Sequence, residues 1–157
     1  MSTEQIFNFI KINDHIATGG QPTEAQLAAA REEGYTAVIN LAPVGTADPR
    51  LPSLTDEAAT VSALGLHYTY IPVDWANPRL EDFAAFSDAM DELRGQKLLI
   101  HCAANYRVTA FFSLYAMKKL GWEKEQADAL LARIWEADPR YVMDDKWRSF
   151  IDKVRSL

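Results

Sequence analysis

Cysteine is nearly missing from this chain: one of its 157 residues, Cys102, carries a thiol. No intrachain disulfide can form, and a reducing cytoplasm is the expected compartment. Cations are also in short supply, with 16 Lys and Arg against 22 Asp and Glu and a net charge of −6. A general nucleic-acid binder needs a basic footprint, so that class is excluded. An anionic substrate is not, because a local cationic pocket can act against the overall field. No apolar run approaches the length of a membrane span. Glu4, Lys11 and Asp14 break up the first twenty residues, which do not read as a signal peptide. Walker-type and dinucleotide glycine patterns are both absent, Gly19-Gly20 being an isolated pair. His15 and His67 stand in no metal-ligand spacing and read as structural or surface residues, so no metal is expected.

What remains is an ordinary globular composition, long enough for one domain over residues 1–157 with a sizeable core. Two short strands are expected before residue 21, with a turn at Asn13-Asp14. Thr23 can cap a helix through Ala25–Glu33, which Gly34 stops. "YTAVINLA" (35–42) is a β-rich run of the buried-strand type, followed by a loop over 43–52. Ser53 or Thr55 is the expected cap of a helix through Leu64, before the strand "LHYTYIPV" (66–73). Phe83, Phe86, Met90 and Leu93 share one helix face. "KLLIHC" (97–102) is the next buried strand, and 108–120 is a helix apolar over most of its circumference. Two further helices follow, one carrying Leu130, Leu131 and Trp135 and one spanning 144–156. Strands alternating with helices predict an α/β fold of three layers, its mostly parallel sheet of about four or five strands flanked by helices.

The segment "IHCAANYRVTAFF" (100–112) puts Cys102 where a buried strand passes into a loop and then a helix. Ligands of open α/β sheets bind beyond the carboxyl ends of the strands. A helix N-terminus there offers unpaired N–H groups and a positive dipole end, which favour an anion and lower a thiol pKa. Ala103 and Ala104 let the backbone approach a ligand. Asn105 can adopt the left-handed conformation that such a loop assigns to glycine. Arg107 offers a planar fork for two oxygens of a tetrahedral anion.

These residues resemble the signature of the cysteine-dependent protein tyrosine and dual-specificity phosphatases. "GGQPT", "VINLAP", "IPVDW" and "HCAAN-R" are most similar to a group of small bacterial phosphatase-like proteins, a domain of unknown function related to atypical dual-specificity phosphatases. The resemblance covers most of the chain and implies a phosphomonoester hydrolase that uses no cofactor and acts on a phosphorylated substrate. It makes Cys102 the nucleophile and Asp74 the general acid and base. Arg107 and the amides of Ala103, Ala104, Asn105, Tyr106, Arg107 and Val108 become the phosphate cradle. Thr109 would donate to the thiolate, and His101 would orient the loop from behind.

The spacing departs from the family in one respect. Four residues, Ala103 to Tyr106, separate Cys102 from Arg107 where the family has five, so Val108 stands at the usual arginine position. A four-residue loop is also that of rhodanese-type sulfurtransferases, and a non-catalytic phosphate-binding module is a third reading. Asp82 and Asp48 are alternative acids. Trp75 and Tyr106 either wall the pocket or pack ordinarily. Trp135, Trp147 and Phe150 read as core rather than as a partner surface.

Overall fold

The computed structural model describes residues 2–44, 54 and 56–157. Its five-stranded sheet runs β1 (Ile10–Lys11), β2 (Ile16–Gly19), β5 (Leu98–His101), β3 (Ala37–Asn40) and β4 (His67–Tyr70) in spatial order. Only the β1–β2 pair is antiparallel. The helices are α1 (Glu24–Glu32), α2 (Glu57–Ala63), α3 (Leu80–Glu92), α4 (Tyr106–Lys119), α5 (Lys124–Trp135) and α6 (Asp145–Arg155), and a 3-10 turn covers Thr3–Gln5. The α/β architecture is the one the alternation of elements predicts.

Central position explains the strand sequences. All four residues of β3 and of β5 are buried, so each reads as a continuous apolar run rather than an alternation. Side chains alternate faces along a strand. Ala37, Ile39, Leu98 and Ile100 join the core built with α3 to α6, while Val38 and Leu99 pack with Leu27 of α1 and Val61 of α2. That parity sends Cys102 to the α3–α6 face and His101 to the α1–α2 face. Edge strand β4, HYTY, is only half covered.

The helix signals are local and mostly hold. Thr23 and Gln26 form a reciprocal capping box at α1. The cap of α2 is Asp56, whose carboxylate accepts from the Ala59 amide; the expected caps Ser53 and Thr55 lie outside the described residues, as does nearly all of the 43–52 loop. In α6, Trp147, Phe150, Ile151 and Val154 form one buried stripe at i, i+3, i+4 and i+7. Trp135 is buried beside them, so the core reading of these aromatics is correct. Burying each large apolar side chain is worth about 1.5–3 kcal/mol. Helix α4 is buried continuously from Val108 to Ala116 and starts at Tyr106, two residues before the expected 108. The cause is Asn105, which ends the loop in one left-handed residue (φ 71°) and leads the chain directly into the helix. No helix among the described residues is long and apolar enough to cross a membrane.

Candidate active site

Cys102 follows the last residue of β5 and is fully buried, its amide donating to the Gly19 carbonyl at 3.2 Å. The loop after it is held by its carbonyls. His101 Nδ1 lies 3.2 Å from the Cys102 oxygen. The Gln21 amide donates to the Ala103 oxygen at 3.0 Å, and Asn8 Nδ2 donates to the Ala104 oxygen at 2.9 Å. In a trans peptide the C=O of one residue and the N–H of the next point in opposite directions. Tying back the oxygens of Cys102 and Ala103 therefore turns the amides of Ala103 and Ala104 the other way. Together with the first-turn amides of Tyr106, Arg107 and Val108, they donate to no acceptor among the described residues. Ala103, Ala104, Tyr106 and Arg107 are half-exposed, whereas Val108, like Cys102, is fully buried.

Asn105 takes the left-handed role expected of it but faces inward. Its Nδ2 donates to the Asn8 carbonyl at 2.8 Å and to the Thr18 hydroxyl at 2.9 Å, and an isolated bridge pairs Gly20 with Ala104. Gly20 carries a requirement that its sequence context does not reveal. A Cβ there would stand 2.7 Å from the Ala103 oxygen and 2.9 Å from the Phe7 oxygen, so a side chain would push the loop away.

The predicted residues on α4 divide. Arg107 Nε donates to the Val73 carbonyl at 2.9 Å, and the guanidinium lies 5.4 Å from the centre of the Trp75 ring. Its terminal nitrogens donate to nothing among the described residues. The Val108 side chain is wholly buried in the same core as Cys102, so only its amide is offered to the loop. Thr109 departs from expectation. Its hydroxyl lies 2.8 Å from the Asn105 oxygen and 3.1 Å from the Tyr106 oxygen, not on the sulfur. Buried at the start of a helix, it bonds the nearest carbonyls of its own chain.

Asp74 lies in the exposed loop after β4, where its carboxylate accepts from the Ala76 amide at 2.9 Å. Both neighbours in sequence, Val73 and Trp75, touch Arg107. The loop carrying Asp74 is thus tied to the loop carrying Cys102, although Asp74 itself bonds neither residue. Trp75 stacks on Trp135 (centroids 5.5 Å) and meets Tyr106 edge-on at 6.1 Å, while the Trp147 indole donates to the Trp75 carbonyl. Trp75 and Tyr106 are one aromatic layer beside the loop. Asp82 is buried at the start of α3, where it caps the Arg79 amide and pairs with the Arg79 side chain. Asp48 lies outside the described residues, and His15 and His67 are exposed.

One residue here carries no sequence signal. Glu57, buried at the start of α2, accepts from His101 Nε2 at 2.7 Å and from Gln21 Nε2 at 2.7 Å. Burial alone would raise its carboxyl pKa. The hydrogen bond and charge of His101, then the bonds of Gln21 and Tyr68, outweigh burial and hold it below its ordinary value. The Tyr68 hydroxyl is pushed well above its own value, first by burial and then by Glu57. Forty-four positions separate Glu57 from His101, and no spacing rule joins them.

Comparison with known proteins gives the class first. The fold is that of the cysteine-dependent tyrosine and dual-specificity phosphatases. P. aeruginosa TpbA, solved in complex with pTyr, superposes with a TM-score of 0.71 over 99% of this chain and 91% of its own, at 13% identity. A DUF442 phosphatase-like protein from Shewanella putrefaciens CN-32 is 32% identical, with a TM-score of 0.84 over 98% of this chain and 92% of that one. The chain belongs to this DUF442 family. A beta-lactamase hydrolase-like protein from Xylella fastidiosa is 28% identical over 121 residues, 77% of this chain. The chain spans only 28% of that curated relative's length. No protein-family model matches the sequence.

Proposed function

We propose that the protein is a cysteine-dependent phosphatase hydrolysing a phosphomonoester, with the sheet and helices described above acting as a single catalytic unit over residues 1–157. The observation that carries this reading is the set of amides at Ala103, Ala104 and 106–108, without acceptors among the described residues and gathered beyond Cys102 by carbonyls tied back on the other side. Phosphoryl transfer needs in-line placement and stabilisation of equatorial oxygen charge more than covalent ingenuity. The amides and the free terminal nitrogens of Arg107 supply that stabilisation. The Cys102 thiolate attacks phosphorus, forming the S–P bond as the P–O bond to the leaving group breaks. Asp74, protonated, gives its proton to the leaving oxygen. As a carboxylate it then takes a proton from the water that displaces the cysteine, releasing inorganic phosphate and regenerating the thiolate.

TpbA's bound pTyr supports a phosphorylated substrate. The test is hydrolysis of p-nitrophenyl phosphate by the wild type and by Cys102→Ser. Turnover is expected in the former only, and equal rates in both would sink the reading.

The spacing between Cys102 and Arg107 favours a second reading, a sulfurtransferase carrying a persulfide on Cys102. It predicts a sulfur adduct after thiosulfate treatment and thiocyanate formed from cyanide. A mass spectrum without the adduct removes it.

A further inference from the structure

Two of the three carbonyl ties behind Cys102 lead to a single carboxylate. His101 Nδ1 faces the Cys102 oxygen, and a carbonyl can only accept, so this nitrogen carries a hydrogen. The other ring nitrogen lies on Glu57 Oε2 at 2.7 Å. Gln21 gives its backbone amide to the Ala103 oxygen and its side-chain amide to Glu57 Oε1 at 2.7 Å. Glu57 thus holds His101 on one oxygen and Gln21 on the other, and each of these two residues ties a successive carbonyl along the loop. Such a carboxylate fixes the ring orientation of the histidine, as outer-shell partners do at metal sites.

We propose that Glu57 is a positioning residue for the Cys102 loop: through His101 and Gln21 it turns the carbonyls of Cys102 and Ala103 inward, and so aims the amides of Ala103 and Ala104 at the anion. This assignment rests on the phosphatase reading for its chemistry, but not for its geometry. Glu57 touches no substrate. It opens α2, directly after the cap Asp56 and across the sheet from the core that holds Cys102, so it reaches the loop through His101 and Gln21.

The test compares Glu57→Gln with Glu57→Leu in the full chain, using amide NMR and inorganic phosphate as the probe. Glutamine keeps an oxygen acceptor for Gln21, and its own N–H bonds the His101 ring nitrogen once that nitrogen has released its hydrogen. The Ala103 and Ala104 resonances should stay near their wild-type positions, with phosphate affinity within about threefold. Leucine removes both grips, which should weaken phosphate binding about tenfold, the size of one lost hydrogen-bonded contact. It should also speed exchange of the Gln21 amide and shift the Ala103 and Ala104 resonances, with the rest of the spectrum in place. A folded Glu57→Leu protein with an unchanged loop spectrum would overturn the proposal, as would shifts spread evenly over the whole chain. Should leucine prevent folding, His101→Asn and Gln21→Ala each cut one grip, and an unmoved loop in both overturns it equally. Wild-type protein that binds no phosphate would instead count against the phosphatase reading, leaving the loop resonances to decide the role of Glu57.

Discussion

The loop after β5 and the loop after β4 carry the two reacting groups of the proposed chemistry, yet they are built in opposite ways. Around Cys102 each carbonyl from 102 to 104 has a partner from another residue's side chain or backbone. Asp74 stands in the open, its carboxylate satisfied by its own turn. On the proposed reading the Cys102 loop presents amides to a charged group at fixed positions, and preorganised dipoles act without reorganisation at the moment of reaction. On the same reading Asp74 is the acid, and its exposed turn leaves room for a leaving group. Arg107 joins the two, since it belongs to the first loop's helix while its Nε and its ring contact belong to the second.

Removing the nucleophile separates the two regions most sharply. Cys102→Ser is expected to lower p-nitrophenyl phosphate turnover by roughly a thousandfold or more, as loss of a nucleophile does elsewhere. Asp74→Asn comes next: kcat should fall by about 10²-fold or more, the usual contribution of a positioned acid. That loss should grow with the basicity of the leaving group, which steady-state kinetics on a series of aryl and alkyl phosphates measures. Equal losses along the series would show that the exposed loop supplies no proton.

Arg107→Ala breaks the joint between the regions. Both phosphate affinity and kcat should decline, by about 10- to 100-fold in kcat/KM, the cost of one to two charge-assisted hydrogen bonds. Asn105→Ala tests the pinned loop alone. A left-handed backbone costs a residue with a Cβ about 1–2 kcal/mol, added here to two lost hydrogen bonds, whereas Asn105→Gly keeps the backbone and loses only the bonds. Chemical denaturation should order the stabilities as wild type, then glycine, then alanine.

The smallest effect is on pH dependence. Glu57 has a folded pKa below its unfolded one, so its contribution to stability is fully present above the unfolded value of 4.5. It is lost as pH falls through the lower, folded value. Melting temperatures of the wild type should therefore drop more steeply below pH 4.5 than those of Glu57→Gln. Parallel curves would show that the carboxylate is no better off folded than unfolded.

Much of this is readable from local patterns. Side chains alternate faces along any strand, so the strand reading of "KLLIHC" (97–102) already sets His101 and Cys102 on opposite faces of the sheet, and Thr23 with Gln26 announces a helix start three residues apart. Asn105 in place of glycine signals a left-handed residue, because few other side chains tolerate that conformation. Thr109 departs from the role the resemblance implies for a local reason as well: a hydroxyl in the first turn of a helix finds its own chain's carbonyls closer than a sulfur.

The linear chain settled what depends on neighbours a few positions apart: the strand–loop–helix setting of Cys102, the order of elements and the parity of each strand. It could not place Glu57 under His101, Gln21 behind Ala103, Gly20 against the loop carbonyl, or Arg107 on the backbone of Val73. Each of those contacts joins segments 34 to 83 positions apart. Only the side-by-side pairing of β2, β5, β3 and β4 in one sheet brings them within reach, because hydrogen bonds and steric limits act over a few ångströms of space and are indifferent to separation along the chain.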